Sequence, residues 1–216
     1  MLLAVGISTS VNVRVLATLI LMLLASGAVF SVLVRRWTTQ RRRVSLEDWA
    51  RAAKLKFTEG PAELLPEVLE RLKPTAESVM LLDSKNLQIV RVASAAAAAP
   101  GQHVPPPVWK LLVIAVRNPW SAAGMRPEAA KQSLLDLFSL GSFPSLGGTE
   151  RFVVYAVDSD AANALPQSSI RSLLPSDLGL LLLGQTMIID FSSRSFDELE
   201  FSRLIPLAKQ LAERVG

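Results

Sequence analysis

With 216 residues, no cysteine and one histidine, the chain can make no disulfide, thiolate nucleophile, iron–sulfur cluster or cysteine-type zinc site. Its net charge of +4 and isoelectric point near 9.8 invite a nucleic-acid reading, but the placement of the charge argues against one. Residues 1–43 hold six arginines and no acid, which leaves 17 Lys plus Arg against 19 Asp plus Glu in the remainder, about two units negative; a nucleic-acid surface needs its basic patch on the folded domain.

Residues 1–14 form a short N-terminal leader, free of charged side chains up to Val13 and ending at Arg14. Residues 15–34, VLATLILMLLASGAVFSVLV, carry no charge. At about 1.5 Å per residue they make a helix roughly 30 Å long, the thickness of a bilayer's hydrocarbon core, so the sequence predicts a transmembrane helix here. Residues 35–44 are a basic juxtamembrane linker. Arg35, Arg36, Arg41, Arg42 and Arg43 follow the apolar run while only Arg14 precedes it, and this asymmetry predicts the N-terminus outside and the C-terminal domain in the cytoplasm, at the inner membrane. Trp37 stands where an interfacial aromatic anchor belongs. The competing reading is a cleaved signal peptide with Ser26-Gly27-Ala28 as its cleavage site; the missing basic n-region, the length of the run and the arginines downstream oppose it.

Residues 45–216 are predicted to be one soluble domain. Ser45-Leu46-Glu47-Asp48 reads as a helix N-cap with acids in its first turn, and Leu46, Trp49, Ala53 and Phe57 fall at helical spacing. Gly60-Pro61 breaks that helix, and Leu65, Val68, Leu69 and Leu72 mark a second one ending before Pro74. Residues 78–83 and 87–93 form a hairpin around Ser84-Lys85-Asn86. Residues 95–107, AAAAAPGQHVPPP with the neighbouring residues, are a flexible Ala/Pro loop. Residues 108–117, VWKLLVIAVR, make a central strand that Asn118-Pro119 ends. Pro127 suits the first position of a third helix marked by Ala130, Leu134, Leu137 and Phe138.

Residues 151–157 are a strand, Asp158-Ser159-Asp160 caps a short helix near Ala161, and residues 167–174 add a helical turn closed by Pro175. Residues 178–183 and 186–191 make a hairpin whose two-residue loop, Gly184-Gln185, fits a tight primed turn. A capping box at Ser195 to Glu198 opens the final helix, with Leu204, Leu207, Ala208, Leu211 and Val215 on one face and Pro206 as a kink. The order predicts an α+β fold with a mostly antiparallel sheet of about six strands and helices packed on one face of it.

Candidate chemistry is sparse. His103 sits in the Ala/Pro loop with no partner for general-base work. Asp158-x-Asp160 continues with Ala162, Asn163 and Ser169 where a calcium loop needs an oxygen ligand, Gly and Glu, so no metal is predicted. Gly147-Gly148-Thr149 lacks the Lys of a phosphate loop. Trp49, Trp109 and Trp120 are assigned to the core. Asp177, Asp190, Asp197, Glu198 and Glu200 crowd the last third; Asp197 and Glu198 are explained by the helix start. Asp190, set in an apolar strand, is predicted to pair with Arg194 or Arg151 as a polar cluster.

The block RFVVYAVDSDAANAL, Leu173-Leu174, the run LGLLLLGQTMIIDFSS and the terminal amphipathic helix together resemble an uncharacterised bacterial family of membrane-anchored α+β domains. The resemblance implies the architecture and carries no activity or site residues. The reading that follows is a single-pass membrane protein whose cytoplasmic domain is a non-enzymatic interaction or assembly module. Its expected partners are the lipid bilayer and a protein partner or a second copy, with no cofactor and no nucleic acid. The alternative is a membrane-associated hydrolase using the acids near Asp190.

Overall fold

A computed structural model of the chain describes residues 4–94, 108–129, 134–138, 151–158, 165 and 170–215; in the first helix it describes side chains at 16–31, 34, 37 and from 43 onward. The chain divides into two units, Met1–Glu47 and Asp48–Gly216. His103, Asp160, Gly147-Gly148-Thr149 and the Ala/Pro loop lie outside the described residues, as do the side chains of Arg35, Arg36, Arg41 and Arg42.

Helix α1 spans Ala4–Ala52. The start predicted at Ser45 is therefore a correction. No proline lies between residues 1 and 60 to stop the helix, and Arg43 pairs with Glu47 one turn on at 3.1 Å, a geometry that supports helix rather than ending it. Among the described residues no helix is long and apolar enough to cross a membrane. The predicted span is thus not supported by the structure.

Within the second unit, α1 ends in a left-handed cap. Lys54 has φ 59°, the Leu55 N–H donates to the Ala50 carbonyl at 2.8 Å, and the Lys54 N–H donates to the Arg51 carbonyl at 3.2 Å. These are the paired bonds of a Schellman motif. The chain is then free to enter strand β1, Lys56–Gly60, so Phe57 belongs to a strand and not to the predicted helix. Two 3-10 segments, Ala62–Leu64 and Glu67–Thr75, replace the second α-helix and bury Leu69 and Leu72.

Strands β2, Ala76–Ser84, and β3, Leu87–Ser94, form the predicted hairpin, with β1 on the outer edge of β2. Strand β4, Val108–Pro127, pairs with β3 through its first limb and with β5, Phe152–Ala156, through its second. Asn118-Pro119 does not end β4, and Pro127 closes it opposite Phe152 rather than opening a helix.

Strand β6, Gly179–Asp190, pairs with β4 throughout. A straight strand of this length would separate its ends by roughly 36 Å at about 3.3 Å per residue, yet a methyl group placed on Gly179 would lie 3.2 Å from the Asp190 Cβ. The strand therefore doubles back. It does so at Gly184, whose φ of 54° suits the primed turn expected at Gly184-Gln185. The β4 register shifts across Ala115 to Trp120 around that tip, so its two limbs embrace the β6 hairpin: Leu111 pairs with Asp190, and Met125 with Leu180.

The result is an α+β fold built on one six-stranded antiparallel sheet. Leu69, Leu72, Val92, Leu111, Leu181 and Ile188 form the core on one face, which the 3-10 segments and helix α2, Leu134–Leu137, cover. Helix α3 is Ile170–Leu173, and the terminal helix α4, Glu198–Val215, packs on β4. Its Phe201 is fully buried among Trp49, Phe191 and Phe196, with ring centroids 4.8 to 6.3 Å away. Burying such a side chain contributes about 1.5–3 kcal/mol. At the far end of α4 the Trp120 Nε1–H donates to the Val215 carbonyl at 3.0 Å, satisfying one of the helix's last acceptors.

Candidate functional site

The doubling of β6 brings its two ends together, and the residues around them enclose a cleft of about 210 Å³. Gly179 forms the floor. The register sets Asp190 on one side of it and Arg126 on the other, since Met125 is paired with the next residue, Leu180. Leu134, Leu135 and Leu181 line the cleft with apolar side chains, and Ser192 and Ser193 line it with hydroxyls.

Asp190 is half-buried, and burial pushes its carboxyl above the usual carboxylate range against the hydrogen bonds it receives. Those bonds are specific. Its Oδ1 accepts from the Ser192 N–H at 3.0 Å and from the Ser192 hydroxyl at 2.6 Å. The backbone N–H of Leu134 also donates to it. Asp190 thus ties the β6 exit turn and the start of α2 to the sheet.

The turn is braced from below by Lys110. Its backbone N–H donates to the Ser192 hydroxyl at 3.0 Å and its ammonium to the carbonyls of Ser192 and Arg194. Burial, and then the Arg91 guanidinium, pull that ammonium below its ordinary value.

Arg194 joins the polar cluster, but not through the predicted partner. It holds Asp177 with two parallel bonds, Nε to Oδ2 at 2.6 Å and Nη2 to Oδ1 at 2.7 Å, and reaches Glu200 through Nη1 at 2.7 Å. This fork lowers the Asp177 carboxyl below the usual range and raises Arg194 above its own. Arg151 lies with its guanidinium 5.9 Å from the centre of the Phe152 ring. The structure therefore brings Asp190 and Arg194 into one turn region without pairing them, and leaves Arg151 at β5.

Sequence reasoning noticed Asp177 and Glu200 as crowded acids, and their partner follows from the hairpin: once β6 reverses at Gly184, positions 177 and 194 become neighbours. Lys110 and Gly179 gave no signal of their own. Asp197 does start α4, accepting the Glu200 N–H at 3.0 Å, so the cap is Asp197 and not Ser195. Of the basic flank, Trp37 and Arg43 are exposed on α1. Among the described residues no group of three or more His, Asp or Glu could hold a metal.

What the fold and cleft define is a small antiparallel α+β domain with an amphipathic cleft at the base of a nested hairpin. No family model matches the sequence, and no curated protein matches it. Among solved structures, the crystal structure of the mycobacterial trehalose monomycolate transport factor A, TtfA, is similar, with a TM-score of 0.54 and 12% sequence identity over 81% of this chain and 93% of that one. At that identity the likeness shows the fold.

Proposed function

We propose that the protein is a single-pass, membrane-tethered and non-enzymatic binding domain, held in the bilayer by residues 15–34 with its sheet domain on the cytoplasmic side. The observation that carries the reading is the state of α1. Leu16, Leu19, Ile20, Leu21, Met22, Leu23, Leu24 and Phe30 are between 52% and 74% exposed, on a helix that is apolar all round; such a helix is stable only when something apolar surrounds it. Its hydroxyls suit that setting, since Ser26 and Ser31 turn back to the carbonyls of Leu23 and Ala28 at 2.9 and 2.8 Å and leave no donor for water. The arginine flank supports the orientation. The fold is shared with a protein named as a trehalose monomycolate transport factor, and that name favours a binding role.

A hydrolase is the second reading, and one contact favours it: the Ser192 hydroxyl donates to Asp190 beside the cleft. Against it, the same hydroxyl also accepts the Lys110 N–H, so both of its roles serve the turn. Asp177, the other carboxylate of the cleft, is engaged by Arg194.

A reporter fused to the C-terminus of the full chain tests the proposal. A fluorescent protein that matures only in the cytoplasm is expected to shine, and a phosphatase that folds only after export is expected to stay inactive. The opposite pattern overturns the orientation. Turnover of an ester or phosphoester panel that vanishes in Ser192→Ala would favour the hydrolase instead.

A further inference from the structure

We propose that the cleft floored by Gly179 binds a small uncharged amphiphile, an aliphatic chain of a few carbons ending in hydroxyl groups. This rests on the binding reading above and gives it a ligand class. The first argument is size. About 210 Å³ is below the roughly 300–1,000 Å³ of pockets for larger ligands, while a cavity of about 150 Å³ suffices for benzene. The second is polarity. The lining mixes the aliphatic Leu134, Leu135 and Leu181 with the Asp190 carboxyl, the Arg126 guanidinium and the hydroxyls of Ser192 and Ser193, whose own protons go to Asp190 and to the Asp177 carbonyl.

The third argument is charge, and it selects the head group. Each charged group lining the cleft already has an internal partner. Asp177 is forked by Arg194. Arg126 donates from Nε and Nη2 to the Tyr155 hydroxyl at 3.3 and 3.2 Å. Asp190 is held by Ser192, and its burial resists ionisation. A charged head entering the cleft would lose its hydration without meeting an uncommitted counter-charge, which is costly. A hydroxyl can accept from one neighbour and donate to another at little cost. The glycine matters because even a methyl group at position 179 meets the Asp190 Cβ at 3.2 Å.

The test uses the full chain in phospholipid nanodiscs with methyl-labelled leucine, titrated with 1,2-hexanediol, hexanoate, hexylammonium and glycerol. The diol is expected to shift the Leu134, Leu135 and Leu181 methyls saturably, the two charged hexyl compounds to bind about tenfold more weakly or worse, and glycerol, which lacks the chain, to leave them unmoved. Gly179→Ala should weaken the diol severalfold, and Ser193→Trp, an exposed rim position, should block it without touching the core. Monoacylglycerol added to the bilayer separates the sources: displacement of the diol identifies a membrane lipid, and its absence identifies a water-soluble alcohol. Binding of hexanoate or hexylammonium as tight as the diol, shifts confined to residues outside the cleft, or wild-type affinity in both variants overturns the proposal. Membrane attachment is not read by this titration, so its failure leaves the tether standing.

Discussion

Replacing Arg194 by alanine isolates the part of the structure on which the cleft's polar lining depends. The guanidinium makes two bonds to Asp177, whose side chain is 48% exposed, and one to Glu200, whose side chain is 9% exposed. The first pair is screened by water, and exposed ion pairs are worth about 0–1 kcal/mol. The second is not, and a carboxylate left buried without its cation costs about 3–5 kcal/mol. Because Arg194 keeps 23% of its own side chain in solvent, water can partly replace it, so the lower end applies: about 3 kcal/mol in all. Urea unfolding of the full chain in nanodiscs, followed by tryptophan fluorescence, reads the loss. Arg194→Lys should recover less than half, since an ammonium cannot reproduce the fork. In a double-mutant cycle, Glu200→Gln should remove about 1 kcal/mol or more of the Arg194→Ala effect. A loss under about 1 kcal/mol, or strict additivity with Glu200→Gln, refutes the assignment of Glu200 as the dominant partner.

The turn and the core give further expectations. Gly184→Val, which forces a β-branched residue to φ 54°, should cost about 1–2 kcal/mol, and Gly184→Asn clearly less; equal effects in urea unfolding would argue against a turn there. Lys54→Gly should stabilise by about 1 kcal/mol, because the left-handed cap at φ 59° then costs no steric strain; destabilisation in the same assay contradicts the Schellman assignment. Phe201→Ala, at the centre of the four-ring cluster, should cost about 3–5 kcal/mol. The carboxyl of Asp190 titrates above its unfolded value, so the folded state holds its proton longer. Its contribution to stability is full on the acid side, falls as pH rises from the ordinary aspartate value through the raised one, and is flat beyond it. Asp190→Asn should remove that fall from melting curves taken between about pH 3 and about pH 7, whereas a fall of unchanged size would assign it to another group.

Local pattern reached the elements whose sequence signal and final environment agree. The β2/β3 hairpin, β5, the Gly184-Gln185 turn and the amphipathic face of α4 all carry their own periodicity or turn chemistry. The misses lie where long-range pairing or an unusual backbone decided. Residues 120–127, WSAAGMRP, have little strand character, and become a limb of β4 only because β5 and β6 pair with them. The end of α1 has no glycine to announce it, since Lys54 takes the left-handed position itself. Residues 65–72 have a helical apolar spacing, but Pro66 and Pro74 at either end hold the segment to 3-10 geometry. In the site, Asp190 was legible as an acid in an apolar strand, while its bonds to Ser192 and Leu134 were not, because they depend on where the exit turn and α2 come to rest. Arg194 and Arg151 are both open as partners of Asp190 in the sequence, and the hairpin gives Arg194 to Asp177 instead.

The tether is the claim from which the rest of the functional account proceeds, and extraction of isolated membranes with alkaline carbonate measures it most directly. The full chain should remain in the pellet, and a version lacking residues 15–34 should move to the supernatant. Recovery of the intact chain in the supernatant, with the deletion behaving the same way, would contradict the account.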